Sequence, residues 1–431
     1  MSRLRQRRAT TTTGGREATQ RVVPGDVALS VGNPNKPAPP GWNWRLLTDV
    51  ARLESGHTPS RNHPEYWDGD VPWIGIRDAK LNHEGVIHST LQTVTDEGIR
   101  NSSARMLPEG TVCLSRTASV GYVVILGKSM ATSQDFVNWV CSPELEPNFL
   151  KYLLIAEKEA LFRFAAGAIH QTIYYPEVKA FHVAMPPVNE QRRIVGILDE
   201  AFDGIATAKA NAEKNLQNAR ALFESHLESV FAERGGDWEE KSLGQIGSTQ
   251  TGSTPNTSDQ DNFGDFIPFV KPADFNPDGS IDYGNDGLSK NGFSVARKVA
   301  ANSTLMVCIG ATIGKCGYSD RDVTTNQQIN ALTPNSGHSN KFIYYQMLTR
   351  DFQRRVILGS SQATLPIINK SKWSALTVWA PSKFAEQESI VKKFDGLLEK
   401  TKRLESIYQR KLAALDALKK SLLHQAFSGQ L

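Results

Sequence analysis

Glu190-Gln191-Arg192-Arg193-Ile194-Val195 opens a long proline-free run that ends at Val230-Phe231, and Glu386-Gln387-Glu388-Ser389-Ile390-Val391 opens another that ends at Ala426-Phe427. The second run repeats the landmarks of the first 196 residues later: Glu190 and Glu386, Ile194 and Ile390, Phe231 and Phe427. Each follows a proline, Pro187 or Pro381, and then a short polar step. Two long helices at a fixed offset predict two copies of one large unit. The repeat, rather than any single residue, organises the chain.

Both runs are amphipathic. In the second, Leu397, Leu404 and Leu418 fall seven or fourteen apart, with Thr401, Tyr408, Leu415 and Leu422 on the neighbouring row, which reads as an a/d seam. The first seam is alanine-rich: Ala201, Ile205, Ala208, Ala212, Leu216, Ala219 and Phe223. Residues 189–233 carry five basic and eight acidic side chains, net −3, whereas residues 389–424 carry nine basic and four acidic, net +5. Small residues facing large ones, with opposite charge, favour pairing of the two helices within one chain. The alternative is that each helix packs only on its own globular unit. The expected fold is therefore α+β: two similar mixed α/β units separated by two long helices. The helices pair as an antiparallel coiled coil about 60 Å long, at about 1.5 Å per residue. A pseudo-two-fold relates the internal repeats, with the globular units at opposite ends.

At 431 residues the chain has room for two or three domains, and its 39% hydrophobic and 22% charged content is ordinary for a globular protein. It holds no apolar run long enough for a membrane span and no h-region after the basic start, Met1-Ser-Arg-Leu-Arg. Cys113, Cys141, Cys308 and Cys316 form no C-x-x-C pair and sit in apolar stretches, which points to reduced core thiols and a cytoplasmic location. A net charge of +4 is too mild to argue nucleic-acid binding by itself.

Residues 1–40 lack apolar periodicity and read as a disordered basic tail, with seven basic residues against two acids. The first globular unit spans 41–188, with strand signals at Val71–Ile76, Thr111–Ser115 and Gly121–Leu126, a helical patch at Pro147–Phe164, and a strand at Phe181–Met185. A helical region, 189–234, follows. The second unit spans 235–382 and the second helical region 383–431. Gly56-His-Thr58-Pro59 pairs with Gly252-Ser-Thr254-Pro255, and Val71-Pro72-Trp73-Ile74 with Ile267-Pro268-Phe269-Val270. The stretch Thr111–Gly121 pairs with Thr304–Gly314, setting Arg116 against Ile309, and Ser133-Gln134 pairs with Asn326-Gln327. The offset drifts from 196 to 193 and back, so the helices kept register while the globular loops diverged.

Catalytic signatures fail on inspection. Gly310-Ala-Thr-Ile-Gly314-Lys315-Cys316 has three residues between glycines where a phosphate loop needs four, and Cys where Ser or Thr binds magnesium. Met185-Pro186-Pro187-Val188 lacks the polar first and aromatic last residue of an amino-methyltransferase motif. The nine histidines show no H-E-x-x-H or zinc-finger spacing. The expectation is a non-catalytic recognition protein with no metal or cofactor of its own.

The arrangement resembles the specificity subunit of a type I restriction–modification system. Gly56-His-Thr58-Pro59-Ser60 with Pro64-Glu65-Tyr66-Trp67 and Val71-Pro72-Trp73-Ile74 looks like the opening of that family's target-recognition domain. Leu107 to Arg116, through Ser119-Val-Gly121, looks like its central motif. Pro186-Pro187 before Glu190–Val195 resembles the entry to its helical region, and Leu422–Leu431 its C-terminal signature. The resemblance covers about residues 41–431 and recurs in both halves. It implies that each globular unit binds one half of a bipartite double-stranded DNA target. The helices would set the spacer and dock two methyltransferase (modification) subunits, which restriction/translocase subunits join. S-adenosylmethionine, ATP and Mg would belong to those partners.

In such a reader affinity comes from phosphate contacts and specificity from base edges, where Arg or Lys bridges guanine and Gln pairs adenine. The candidate DNA contacts are Arg77, Lys80, Arg116, Gln134, His170, Gln171 and Thr172 in the first unit, and Lys271, Lys315, Gln327, Gln328, Gln362 and Thr364 in the second. For each, the bland alternative is an ordinary turn or strand-edge hydrogen bond. On the helices, Arg192, Arg193, Lys402 and Arg403 face partners, phosphates or merely solvent. The competing class is a coiled-coil scaffold whose globular ends bind protein, without DNA specificity. A fused single-chain methyltransferase is disfavoured by the missing motifs. Changing Gln327 or Gln362 to Ala is expected to alter recognition of the second half-site alone, read by competition binding with half-site variants. A change confined to the first half-site would overturn the assignment.

Overall fold

The computed structural model describes residues 35–165, 171–277, 279–361 and 365–431, apart from the Arg163 side chain. Most of the basic tail and the candidates His170, Gln362 and Thr364 lie outside the described residues. The chain forms two compact units. The first runs to Asn211 and takes in Leu412–Leu431; the second is Ala212–Lys411. The division falls inside both long helices, Val188–Ala232 and Phe384–Phe427, so each unit contains a stretch of each.

In the first unit a five-stranded sheet has the order Ala51–Ser55, Phe136–Cys141, Val112–Ser115, Val123–Leu126, Val86–Ile87. Only the last pair is parallel. Val112–Ser115 and Val123–Leu126 are buried on both faces, which is why they read as continuous rather than alternating apolar runs. A smaller sheet sets Trp67–Ile74 between Gln92–Val94, antiparallel, and Ala131–Thr132, parallel. The predicted helical patch is two helices, Pro147–Ala156 and Lys158–Phe164, broken at Glu157. Pro147 starts the first, where a missing N–H costs nothing. An antiparallel ladder of Asn43–Leu46 with His182–Met185 delivers the chain to the first long helix.

The second unit repeats the plan with different loops. One four-stranded sheet has the order Gly247–Thr251, Ile329–Pro334, Ser303–Val307, Cys316–Ser319. Another has the order Gly287–Leu288, Phe263–Val270, Val323–Thr325, Lys298–Val299. The ladder Trp238–Ser242 with Thr377–Pro381 again precedes the long helix.

The Glu-Gln motif that opens each helix has a physical cause. Gln191 Oε1 accepts the Glu146 N–H at 2.9 Å, and its amide group donates to the Glu144 and Pro186 carbonyls, both at 2.9 Å. Gln387 Oε1 accepts the Ser339 N–H at 2.9 Å, and its amide donates to Gly337 and Pro381 at 3.4 and 2.8 Å. Both glutamines are fully buried. The position needs one acceptor and two donors on one side chain, which Glu, Leu or Met cannot supply.

Two turns on, Tyr152 donates to Asp199 and Tyr345 to Asp395, which also accepts Lys341 at 2.9 Å. Burial, then the carboxylate, pushes both tyrosine hydroxyls up. An aromatic cage is duplicated too. In the first unit Phe427 packs on Phe149 (5.2 Å, 64°), which meets Trp42 (5.8 Å). In the second, Phe231 packs on Phe342 (5.3 Å, 62°), which meets Trp238 (5.5 Å).

Within each unit the two helical stretches run antiparallel. In the first, Arg193 donates to the Leu431 carbonyl at 2.7 Å and Lys209 pairs with Asp416 at 2.8 Å. In the second, Arg220 pairs with Glu405 at 3.0 Å and Phe231 stacks on Phe394 at 5.7 Å. Ile205 and Ala212 are buried, with Ala201, Ala208 and Leu216 half-buried. On the second helix Leu397, Tyr408, Leu415 and Leu422 are half-buried. Leu404 departs from the expected seam: it and Leu418 are 39% and 47% exposed. The row turned inward is Phe394, Leu398, Thr401, Glu405, Tyr408, Leu412, Leu415, Lys419 and Leu422, spaced alternately four and three. Thr401, Tyr408, Leu415 and Leu422 lie on this row as the sequence predicts, joined by Glu405 through an ion pair and Lys419 through an ion pair and stem packing, so leucine spacing misplaces only Leu404 and Leu418. Gln387→Ala is expected to cost about 3 kcal/mol by stranding buried backbone groups. Gln387→Glu is expected to destabilise as well, since it removes the donors. Urea unfolding checks both.

Candidate nucleic-acid interface

The motifs that the two halves share meet in space. The Thr58 hydroxyl donates to Gln134 Oε1 in the first unit, and the Thr254 hydroxyl donates to Gln327 Oε1 in the second. Both glutamines are exposed. The threonine occupies the amide oxygen, and each exposed glutamine retains two amide N–H donors. A glycine two residues earlier permits this approach. A Cβ on Gly56 would collide with Thr132 and the Ser133 carbonyl, and one on Gly252 with Thr325 and the Asn326 carbonyl.

Two further loops close on each glutamine. In the first unit the Arg116 N–H donates to the Asp135 carbonyl at 2.8 Å, and the Ile173 N–H donates to the Arg116 carbonyl at 2.8 Å. In the second the Cys308 N–H donates to the Gln328 carbonyl at 2.7 Å, and the Ile368 N–H donates to the Cys308 carbonyl at 3.0 Å. Strand register agrees: Ser115 faces Phe136 as Val307 faces Ile329. The counterpart of Arg116 is therefore Cys308, not Ile309, because the loop to Gly314 is one residue longer than the loop to Gly121. Thr117 corresponds to Ile309. The Thr117 and Thr172 hydroxyls are hydrogen-bonded at 2.9 Å, where Ile309 and Ile367 form an isolated bridge.

The structure thus brings Arg116, Gln134 and Thr172 together, and Gln327 with Gln328. Arg116 is half-buried, lies 5.1 Å over the Tyr175 ring and reaches the Ile173 carbonyl at 3.5 Å; its Nε has no partner among the described residues. Gln171 is exposed beside Thr172. Arg77 and Lys80 are exposed on Ile76–Leu81, which starts where the Ile74 carbonyl accepts the Ser133 N–H. Lys271 follows Val270, whose carbonyl accepts the Asn326 N–H, but its amine is paired with Asp286 at 2.8 Å. Gln328 accepts from the Asn326 amide at 2.9 Å. Lys315 turns away: its amine donates to the Phe275 carbonyl, and it lines a recess of about 870 Å³ with Arg220, Tyr344 and Gln353. The glycine-lysine stretch around it is a hairpin between antiparallel strands, not a strand-to-helix phosphate loop.

The sequence model of the "Type I restriction modification DNA specificity domain" matches residues 39–217 and again 235–411. The chain belongs to this family. A type I restriction enzyme specificity subunit of Methanocaldococcus jannaschii, MjaIX, is 27% identical over 232 residues, 50% of this chain and 54% of that protein. The EcoR124I/EcoR124II specificity subunit of Escherichia coli is 26% identical over 197 residues, 44% and 48% of the two chains. The HindI specificity subunit of Haemophilus influenzae is 31% identical over 180 residues, 39% of each. The matches span about half the length of these relatives or less. In fold, a chain from a solved type I R-M system superposes with TM-score 0.75 at 20% identity, covering 92% of this chain and all of that one. The HsdS subunit of Thermoanaerobacter tengcongensis gives 0.59 at 18% identity over 93% and 99%.

Residues of this specificity-domain chain that sequence reasoning left out as contacts are Thr58, Thr254, Thr117, Ile309 and Ile367. The repeated Thr-Pro was visible, but its partner glutamine lies more than seventy positions away. Arg61 was also missed: it lies 3.6 Å over the Trp67 ring and donates to Gln92 at 2.9 Å. Cys113, Cys308 and Cys316 are buried and free, with Cys141 half-buried. Burial pushes all four thiols up, Cys141 and Cys308 to about 12, so none is a ready nucleophile. Among the described residues no helix is long and apolar enough to cross a membrane. Gly252→Ala is expected to destabilise the chain by more than about 1 kcal/mol. Thr254→Val is expected to stay within about 0.5 kcal/mol, because its bond is exposed. Urea unfolding of the two variants separates the structural residue from the displayed one.

Proposed function

We propose that this chain is the DNA-reading subunit of a type I restriction–modification complex and has no catalytic site of its own. Each unit reads one half of a bipartite double-stranded target. The paired helices set the spacer and dock two methyltransferase subunits, and restriction/translocase subunits join that core. S-adenosylmethionine, ATP and Mg are used by those partners.

The observation that carries this reading is the duplicated Thr–Gln pair, set among loops whose chemistry differs between the units. A shared frame with divergent loops is what reading two unlike half-sites requires. Phosphate contacts from Arg77, Lys80 and Arg116 would supply affinity, and amide contacts from Gln134, Gln327 and Gln328 base discrimination.

The test is a base-modification map of the host genome with and without the gene. Methyladenine is expected to disappear at one split motif, two short half-sites around a fixed spacer. Binding of that motif by the chain with its methylating partner is expected to fall steeply with salt. Binding with neither sequence preference nor salt dependence would overturn the proposal.

A further inference from the structure

The two units place unlike side-chain pairs at one equivalent point. In the first unit the pair is Thr117 and Thr172, joined hydroxyl to hydroxyl. In the second it is Ile309 and Ile367, facing each other across an isolated antiparallel bridge. The equivalence rests on backbone bonds, Ile173 to Arg116 in one unit and Ile368 to Cys308 in the other. Ile367 is 40% exposed and its neighbour Leu365 is 52% exposed. Leaving branched aliphatic side chains in water sacrifices burial energy that the first unit's threonines do not need.

The surroundings say what such a pair meets. Gly310, next to Ile309, has φ +106°; a Cβ there would lie 3.8 Å from the Gln328 amide nitrogen and 4.0 Å from Leu365. An amide and an apolar edge thus flank the same glycine. Lys370, exposed on the short helix Lys370–Ser374, follows directly, with Lys372 beside it, whose amine also donates to the Gly359 carbonyl at 3.3 Å. The first unit has Tyr175 and Glu177 at those places. Apolar groups beside an amide, rimmed by cations, complement a DNA major-groove edge. The 5-methyl group of thymine is the apolar feature of that edge.

Resting on the function proposed above, we infer that Ile309 and Ile367 hold the 5-methyl group of a thymine in the half-site read by the second unit. The first unit, with hydroxyls in their place, has no such requirement at its Thr117–Thr172 pair. These two positions are then specificity-determining residues, and exchanging the pairs transfers the preference.

The probe is a duplex carrying the split motif from the modification map, with each thymine replaced in turn by uracil. It is bound by the full chain with its methylating partner. Uracil at one position of one half-site is expected to weaken binding about fourfold, the worth of one buried methyl group. The I309T/I367T double variant is expected to erase that discrimination while leaving the other half-site unchanged. Ile367 is exposed and Ile309 half-buried, and unfolding measured alongside confirms an intact fold. Three results would overturn the inference: uracil tolerated throughout a motif that is still bound, discrimination that survives in the double variant, or a variant that loses its protein partner without any change in base preference. Absence of any selectively bound motif would instead remove the underlying functional reading.

Discussion

A long helix that leaves a β-rich unit must pass from a buried ladder into solvent without stranding backbone groups. In this chain one side chain solves that problem, twice. Gln191 and Gln387 each accept one backbone N–H and donate to two carbonyls, at zero exposure. The bonds tie the helix start to one loop distant in sequence, 144–146 or 337–339, and to the proline that ends the preceding strand segment, which fixes the direction in which the helix departs. The Tyr–Asp bond holds the same helix further along, and a phenylalanine near its other end fills an aromatic cage. All of these contacts are kept in duplicate.

Where the halves differ, they differ in loops and in chemistry rather than in frame. Arg116 gives way to Cys308, the threonine pair to isoleucines, and Arg61 on Trp67 to a loop carrying Asp259 and Asp261. The Thr–Gln bond stays. That division between fixed scaffold and variable display is how a duplicated protein addresses two unlike targets, because binding residues on loops can change without disturbing a packed core. It also gives the specificity-domain family a physical reading: the same frame occurs twice, and the matched segments coincide with it.

Much of this was legible in the sequence. The 196-residue offset, the proline stops and the opening Glu-Gln revealed two units and two helices, because helix entry and periodicity are local signals. The seam was only half legible. Leu404 and Leu418 mimic an a/d row, while the true row keeps Thr401 and adds Glu405 and Lys419, whose partners lie on other elements. The loop match slipped by one residue because an insertion between Arg116 and Gly121 leaves no trace until strand register is known. Lys315 looked like a displayed cation, yet its amine is taken by the Phe275 carbonyl. Long-range hydrogen bonds decide such cases, and hydropathy does not encode them.

The discontinuity of the first unit reverses its order of assembly during synthesis. Its core includes Leu423, Ala426 and Phe427, and without them Phe149 and Ile194 lack part of their packing. The second unit, Ala212–Lys411, is continuous. Nascent chains generally fold from the N-terminal domain onward. Here the ribosome delivers the first unit early but incomplete, and the second unit can close before it. Until residues 412–431 emerge, an unfinished apolar surface waits on the nascent chain, a natural place for a chaperone to hold it.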